Sequence, residues 1–209
     1  RQAFETALAL WAEQVTYRQA DRLVRTWTIT WDDDGNPLAD GDPIYAVVRG
    51  LGFSSDGKGS SVYAPRPEGQ AQALRRAYDK AGYSPATVEL VEAHGTATKA
   101  GDAAEVRGLR SVFGPANEEG REWCALGSVK SQIGHTKCTA GVAGLVKVAL
   151  ALHHKVLPPT LHVTKPNSKV GFPDSPVYVS AQTRPWVGRA ETPPRAGDYT
   201  SRQRGQGGK

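Results

Sequence analysis

The chain contains no methionine and only two cysteines, Cys124 and Cys138, and aromatic residues make up just 8% of it. The two cysteines sit in separate apolar runs without a companion ligand at close spacing, which excludes a disulfide framework and argues against a zinc centre. They read as reduced, buried thiols of an intracellular, cytoplasmic protein. Long hydrophobic runs are also missing. The most apolar segment, CTAGVAGLVKVALAL, is broken by Lys147 and falls short of the roughly 20 residues that cross a bilayer, so no membrane span is expected. The opening RQAFETALALWAEQ offers no unbroken apolar signal region. With no methionine at its start or anywhere else, the chain is expected to be a piece of a longer polypeptide.

One-sided charge is absent as well, outside a short tail. Of the net charge of +5, residues 189–209 supply +3 through Arg189, Arg195, Arg202, Arg204 and Lys209 against Glu191 and Asp198. The remainder is nearly balanced, which leaves a basic face for nucleic acid without support. A length of 209 residues with 39% hydrophobic content suits one sizeable core.

What the chain does have is an alternation of strand-like and helix-like segments. Phe4, Leu8, Trp11 and Val15 recur at helical spacing and predict a helix over residues 2–24; Trp27, Ile29 and Trp31 then alternate as a short strand before the turn DDDGNP. PIYAVVRG reads as a buried strand. The glycine-rich loop GLGFSSDGKGSS after it lacks the Gly-Lys-Ser/Thr ending that cradles phosphate, so its glycines are assigned to turns. Ala71, Leu74, Tyr78 and Ala81 form one helical stripe over 69–81, closed by Gly82.

TVELVEA follows as a strand. Asp102 and Glu105 resemble a capping box that opens a helix burying Val106, Leu109, Val112 and Phe113. WCALGSV reads as another strand, Lys137–His153 as a helix and SPVYVSAQT as the last strand. Gly141 and Gly144 would let that helix pack closely on neighbouring backbone. The order indicates α/β layering with a mixed sheet. Residues 1–40 stand apart as an N-terminal helix and turn, 41–187 form the α/β unit, and 188–209, rich in Pro, Gly, Arg and Gln, are expected to be a disordered basic tail.

Two strand ends carry the chemistry. VEAHGTATKAGD delivers His94, next to Gly95, where a ligand can approach closely because no side chain obstructs it. Thr96 and Thr98 offer hydroxyls on alternating sides of the approach. LGSVKSQIGHTKCTAG delivers Lys130 and His135, the latter just before a helix whose N–H groups disfavour imidazolium. Two neutral imidazoles can donate two N–H bonds to one developing oxyanion, and a fixed ammonium beside them would keep them neutral. Taken singly, His94 and His135 are equally well explained as strand caps and Lys130 as a surface lysine. His153, His154 and His162 are weaker candidates, and no residues are spaced to bind a metal.

VEAHGTATKAGDAAE and LGSVKSQIGHTKCTAGVAGLVKVALALHHKVLPPTLHV together resemble the second half of a β-ketoacyl synthase, the ketosynthase domain of polyketide, polyunsaturated-fatty-acid and enediyne-type megasynthases. The resemblance runs from about Asp42 to Trp186. It implies the C-terminal half of a thiolase-like fold, a mixed sheet with a buried central helix. It further implies decarboxylative Claisen condensation of a carrier-bound malonyl unit with an acyl group held on a cysteine. On that reading His94 and His135 stabilise enolate and thioester oxyanions, Lys130 supports them electrostatically, and Thr96 and Thr98 line the channel of the phosphopantetheine arm. No bound cofactor is implied. The partners implied are an acyl carrier protein, the missing N-terminal half and, in the intact enzyme, a second copy forming a homodimer.

The chain also departs from the family. The nucleophilic cysteine belongs to the first half, and neither Cys124 nor Cys138 lies in its place. Residues 1–40 match poorly, and PRAG continues into an unrelated tail. The isolated chain is therefore expected to be incapable of condensation, with exposed faces where the missing half would pack. The competing reading is a non-enzymatic ketosynthase-like partner or a carrier-docking module.

Overall fold

A computed structural model describes residues 30–31, 37–38, 44–55, 66–115, 122–164, 172, 175–189 and 192–200. The helix expected over 2–24 and most of the turn after Trp31 lie outside them. Strands β1 (Thr30–Trp31) and β2 (Pro37–Leu38) pair antiparallel. Helix α1 (Pro67–Ala81) begins on proline, whose missing N–H costs nothing in a first turn, and ends on Gly82 in the left-handed region (φ 73°). Strand β3 (Leu90–Glu92) leads to α2 (Lys99–Phe113), β4 (Cys124–Gly127) to the single-turn α3 (Lys130–Ile133), and a 3-10 turn at Lys137–Thr139 to α4 (Ala140–His154). Strands β5 (Val156–Leu157), β6 (Val177–Val179), β7 (Arg184–Pro185) and β8 (Ala196–Asp198) complete the order.

The central sheet runs β6-β4-β3-β8 and is parallel at every pairing. Where a mixed sheet was expected, antiparallel pairing is confined among the described residues to β1–β2 and β5–β7. Strand alternation divides two cores between the faces. Val91 and Cys124 join Leu74, Tyr78, Val106, Leu109 and Phe113 beneath α1 and α2. Leu90 and Ala125 join Ala151, Leu157 and Trp186 on the face covered by α4. Glu92, two residues after Leu90, points to that same α4 face. Gly144 of α4 lies directly over it: an added Cβ would stand 3.0 Å from Glu92 Cγ and 2.6 Å from Asp198 Oδ1. At Gly141 the near neighbour is Thr200 Cγ2, at 2.9 Å. These helix glycines thus make room for side chains, not for the neighbouring backbone that their small size suggested.

Several expectations change. No strand forms over 44–50: Ile44, Tyr45 and Val48 are exposed, and no described strand runs beside them. Instead Gly50 and Gly52 press this segment onto α1, against the carbonyls of Ala77 and Ala73. The cap of α2 is Thr98, whose hydroxyl accepts Gly101 N–H at 3.2 Å, so Asp102 and Glu105 are released for other work. Cys124 is buried as expected, but Cys138 is exposed, because the turn before α4 lies at the surface of the described residues.

Within the stretch expected to be disordered, residues 192–200 are described and include a strand. Ala196–Asp198 add β8 to the open edge of β3, with Ala196 opposite Leu90 and Asp198 opposite Glu92, and Glu89 N and Tyr199 N bond across at 3.0 and 2.8 Å. An unpaired strand edge is a template for any segment that reaches it, and this outweighs a composition poor in strand formers. Helix α4 is apolar nearly all round, yet Leu145 and Leu150 remain exposed on the side away from the sheet.

Truncation after Val187 tests the tail. Loss of β8 exposes the edge of β3 and should lower the urea midpoint and the slope of the unfolding transition, whereas removal of disordered residues would leave both unchanged.

Candidate active site

Because β3 and β4 are parallel neighbours, their carboxyl ends open on one edge of the sheet, the edge where open α/β sheets place their ligands. His94 follows β3; Lys130 and His135 follow β4. The two imidazole rings meet edge to face, with centroids 5.7 Å apart and planes at 85°. The two predicted imidazoles therefore converge on one place, and the charge of Lys130 acts on both.

The backbone turns that hold them are built on buried acids. Glu105, buried in α2, accepts the amide protons of His94 at 2.6 Å and Gly95 at 3.0 Å on its two carboxylate oxygens. Gly95 has φ 45°, and a Cβ there would stand 2.7 Å from Ser128 Cβ, so the two strand-end loops touch where only glycine fits. Ala97 also lies in the left-handed region (φ 59°), a conformation that costs a non-glycine residue about 1 kcal/mol. Glu92 accepts Val129 N–H, fixing the residue before Lys130, and is paired with Lys147 Nζ at 2.7 Å.

Both histidines are kept neutral. The pKa of His94 falls from 6.5 to about 4, through burial first, then the Lys130 ammonium and His135. His135 is lowered too, by loss of water around its ring, then by Lys130 and Lys137, even though the residue as a whole is exposed. Its Nδ1 accepts Lys137 N–H at 3.1 Å, which assigns the ring proton to Nε2 and turns that atom into a donor. Glu105, by contrast, is raised to about 7 because burial outweighs the two amide bonds.

Thr96 and Thr98 do not face opposite ways. Both hydroxyl oxygens approach one point above Gly101 at the start of α2, and Thr98 is engaged as the cap. His153 and His154 meet edge to face, and His153 also packs on Tyr45, at the far end of α4, about 20 Å of helix from its start. His162 lies in an exposed turn. Among the described residues no cluster of three or more His, Cys, Asp or Glu could hold a metal. Nor does any described helix reach the length and apolarity that cross a membrane. Cys124 is fully buried in the core, where burial raises its thiol pKa far above the ordinary value.

Sequence reasoning missed Glu92 and Glu105 as supports. For the Glu92–Lys147 pair the signals were present: an acid inside the apolar run LVEA, and a lysine interrupting an otherwise apolar helix.

Two imidazoles with lowered pKa values and an ammonium thus follow adjacent parallel strand ends of an α/β sheet. Comparison with known proteins gives the family. Residues 45–164 match the beta-ketoacyl synthase C-terminal domain, and the chain belongs to that family. It is 49% identical over 164 residues to a polyunsaturated fatty acid synthase polypeptide of Thraustochytrium sp., covering 77% of this chain and 6% of that protein. Among solved structures, the ketosynthase from module 6 of the bacillaene synthase of Bacillus subtilis 168 is similar, with TM-score 0.68 and 42% identity, covering 75% of this chain and 28% of that one. Ketosynthase twelve from the bacillaene polyketide synthase in Bacillus amyloliquefaciens superposes with TM-score 0.69 at 40% identity, with the same coverage. The fold is thus thiolase-like, and the chain spans under a third of each of these two ketosynthase chains.

His94 is expected to titrate near pH 4 in an NMR pH series, and Lys130→Met to raise that value without restoring 6.5, since burial is the larger cause. The folded pKa lies below the unfolded one, so the unfolded chain takes up the proton first. The contribution of neutral His94 to stability is whole above pH 6.5 and falls as pH drops toward 4. His94→Gln should remove this part of the acid sensitivity in denaturant titrations.

Proposed function

We propose that these residues form the decarboxylation half of a β-ketoacyl synthase site. A malonyl group arrives as a thioester on the phosphopantetheine of an acyl carrier protein. Its carboxylate leaves as carbon dioxide, and the electrons of the broken C–C bond pass into an enolate. Nε2–H of His135 and a ring N–H of His94 donate to the enolate oxygen, which bears the new charge only as the bond breaks, so the interaction is strongest in the transition state. The enolate carbon then attacks the acyl thioester on a cysteine supplied by the first half of the fold. A C–C bond forms, the C–S bond breaks, and the cysteine leaves as thiolate. Burial, then the Lys130 ammonium, disfavours the protonated form of both imidazoles, so each offers one N–H to the oxygen and keeps no charge of its own.

The meeting of the two rings beside Lys130 carries this reading. Thr96 and Thr98, gathered over Gly101, are assigned to the pantetheine arm as hydrogen-bonding hydroxyls. Leu145 and Leu150 on the bare side of α4 are where the first half would pack, and the intact enzyme would be a homodimer. The chain by itself should not condense.

The test combines this chain with a separately expressed first half that carries the cysteine and measures carbon dioxide released from malonyl-carrier. Loss of one oxyanion donor, in His94→Ala or His135→Ala, should slow release about 100- to 1,000-fold. Release at the parent rate in both variants would refute the assignment.

A further inference from the structure

The assigned mechanism uses three side chains and leaves unexplained an ion pair buried directly behind them. Glu92 is 2% exposed and the Lys147 side chain 8% exposed, and Nζ stands 2.7 Å from Oε2. Burying two opposite charges brings little net stability, because desolvation offsets most of their attraction. The fold nevertheless reserves space for them at two positions. At Gly127 an added Cβ would lie 3.1 Å from the Lys147 ammonium, and at Gly144 it would lie 3.0 Å from Glu92 Cγ. The pair is therefore kept for something other than packing.

Its connections show what. Glu92 stands two residues before His94, at the end of β3. Its Oε1 accepts the amide proton of Val129, the residue before Lys130 at the end of β4. Its Oε2 is held by Lys147 from α4, whose start follows the turn bearing His135. The backbone carbonyl of Glu92 accepts Tyr199 N–H at 2.8 Å on the other side, from the residue after β8. One side chain thus ties the two strand ends to each other and to the central helix. Each charge meets its partner where water is excluded and a hydrogen bond is strong.

We propose that Glu92 and Lys147 are positioning residues that set the spacing of Lys130 and His94, and through it the alignment of the two imidazoles. The proposal rests on the oxyanion reading above. Burial is the first cause of the lowered His94 pKa, and Lys130 adds its share only while the Val129–Lys130 turn stays beside β3. Glu92 is the side chain that ties the turn there, and Lys147 supplies the charge that keeps the Glu92 carboxylate in place. Neither residue touches the reacting atoms.

The experiment uses the same complex with a first half. Glu92→Gln and Lys147→Met should each slow malonyl decarboxylation about 10- to 100-fold with the KM for malonyl-carrier within about threefold of parent, as for misplaced rather than missing groups. The double variant should be no slower than the slower single, because each residue acts through the other. A second readout separates positioning from general support. Removing the negative charge of Glu92 would by itself lower the pKa of His94, whereas release of Lys130 raises it; the proposal requires a rise, read by NMR of labelled histidine.

Parent-like decarboxylation in folded Glu92→Gln, a His94 pKa that stays or falls, or multiplied losses in the double variant would overturn it. If Glu92→Gln does not fold, Lys147→Gln, which keeps a donor in the same space, decides by rate and KM together. Unchanged rates in His94→Ala and His135→Ala would sink the underlying reading instead, so the two failures are distinguishable.

Discussion

Parallel pairing of β3 with β4 is the constraint on which the site depends. Leu90, Val91 and Glu92 lie opposite Ala125, Leu126 and Gly127, so the two strands end level, and whatever follows each of them must share one rim. An antiparallel partner would carry Lys130 and His135 to the opposite end of the sheet. A slip of one residue would exchange the faces of β3, turning Val91 toward α4 and Glu92 into the apolar core beneath α1 and α2. Register and chemistry are thus one decision, made by the alternation of Leu90, Val91 and Glu92 between two cores.

The electrostatics at this rim are layered. Outermost stand two imidazoles whose protonated forms are disfavoured by burial and by Lys130. Behind them lie the acids. Burial raises the pKa of Glu92, Glu105 and Asp198, and the Lys130 ammonium acts on all three in the opposite sense. Asp198 reaches about 7, driven by burial and by the neighbouring Glu92, although its residue is exposed at the sheet edge, so the crowding is local to the carboxylate. A cation facing inward to carboxylates and outward to imidazoles serves both: it offsets the cost of the buried acids and denies a proton to the donors.

Much of this was legible in the text of the chain. The strand ends at His94 and Lys130 stood out because apolar runs stop on polar groups beside glycine, and the stripes of α1 and α2 follow from helical spacing. Other features could not be read that way. PIYAVVRG has the composition of a strand, but composition does not say whether a partner lies beside it, and here the run leans on α1 instead. Ala196–Asp198 have the opposite history: three residues without strand character become β8 because β3 offers an open edge. The start of α2 looks like a capping box at Asp102 and Glu105, while the true cap, Thr98, reads in sequence as a ligand-contacting hydroxyl. Two roles compete for the same polar residues, and local spacing does not rank them.

Gly127 and Gly144 have a bearing on descent. Their bare α-carbons make room for an ammonium on one side and a glutamate stem on the other, so four positions scattered over more than fifty residues of chain are tied in their heredity. Drift that erased Lys147 would lift the embargo on a side chain at 127, whereas 144 would stay closed until both Glu92 and Asp198 had gone. Bulk acquired first at either glycine would in turn make the charged partners a burden. Such a set, with Asp198 included, should change together across lineages, leaving a correlated signature even where the imidazoles themselves never vary.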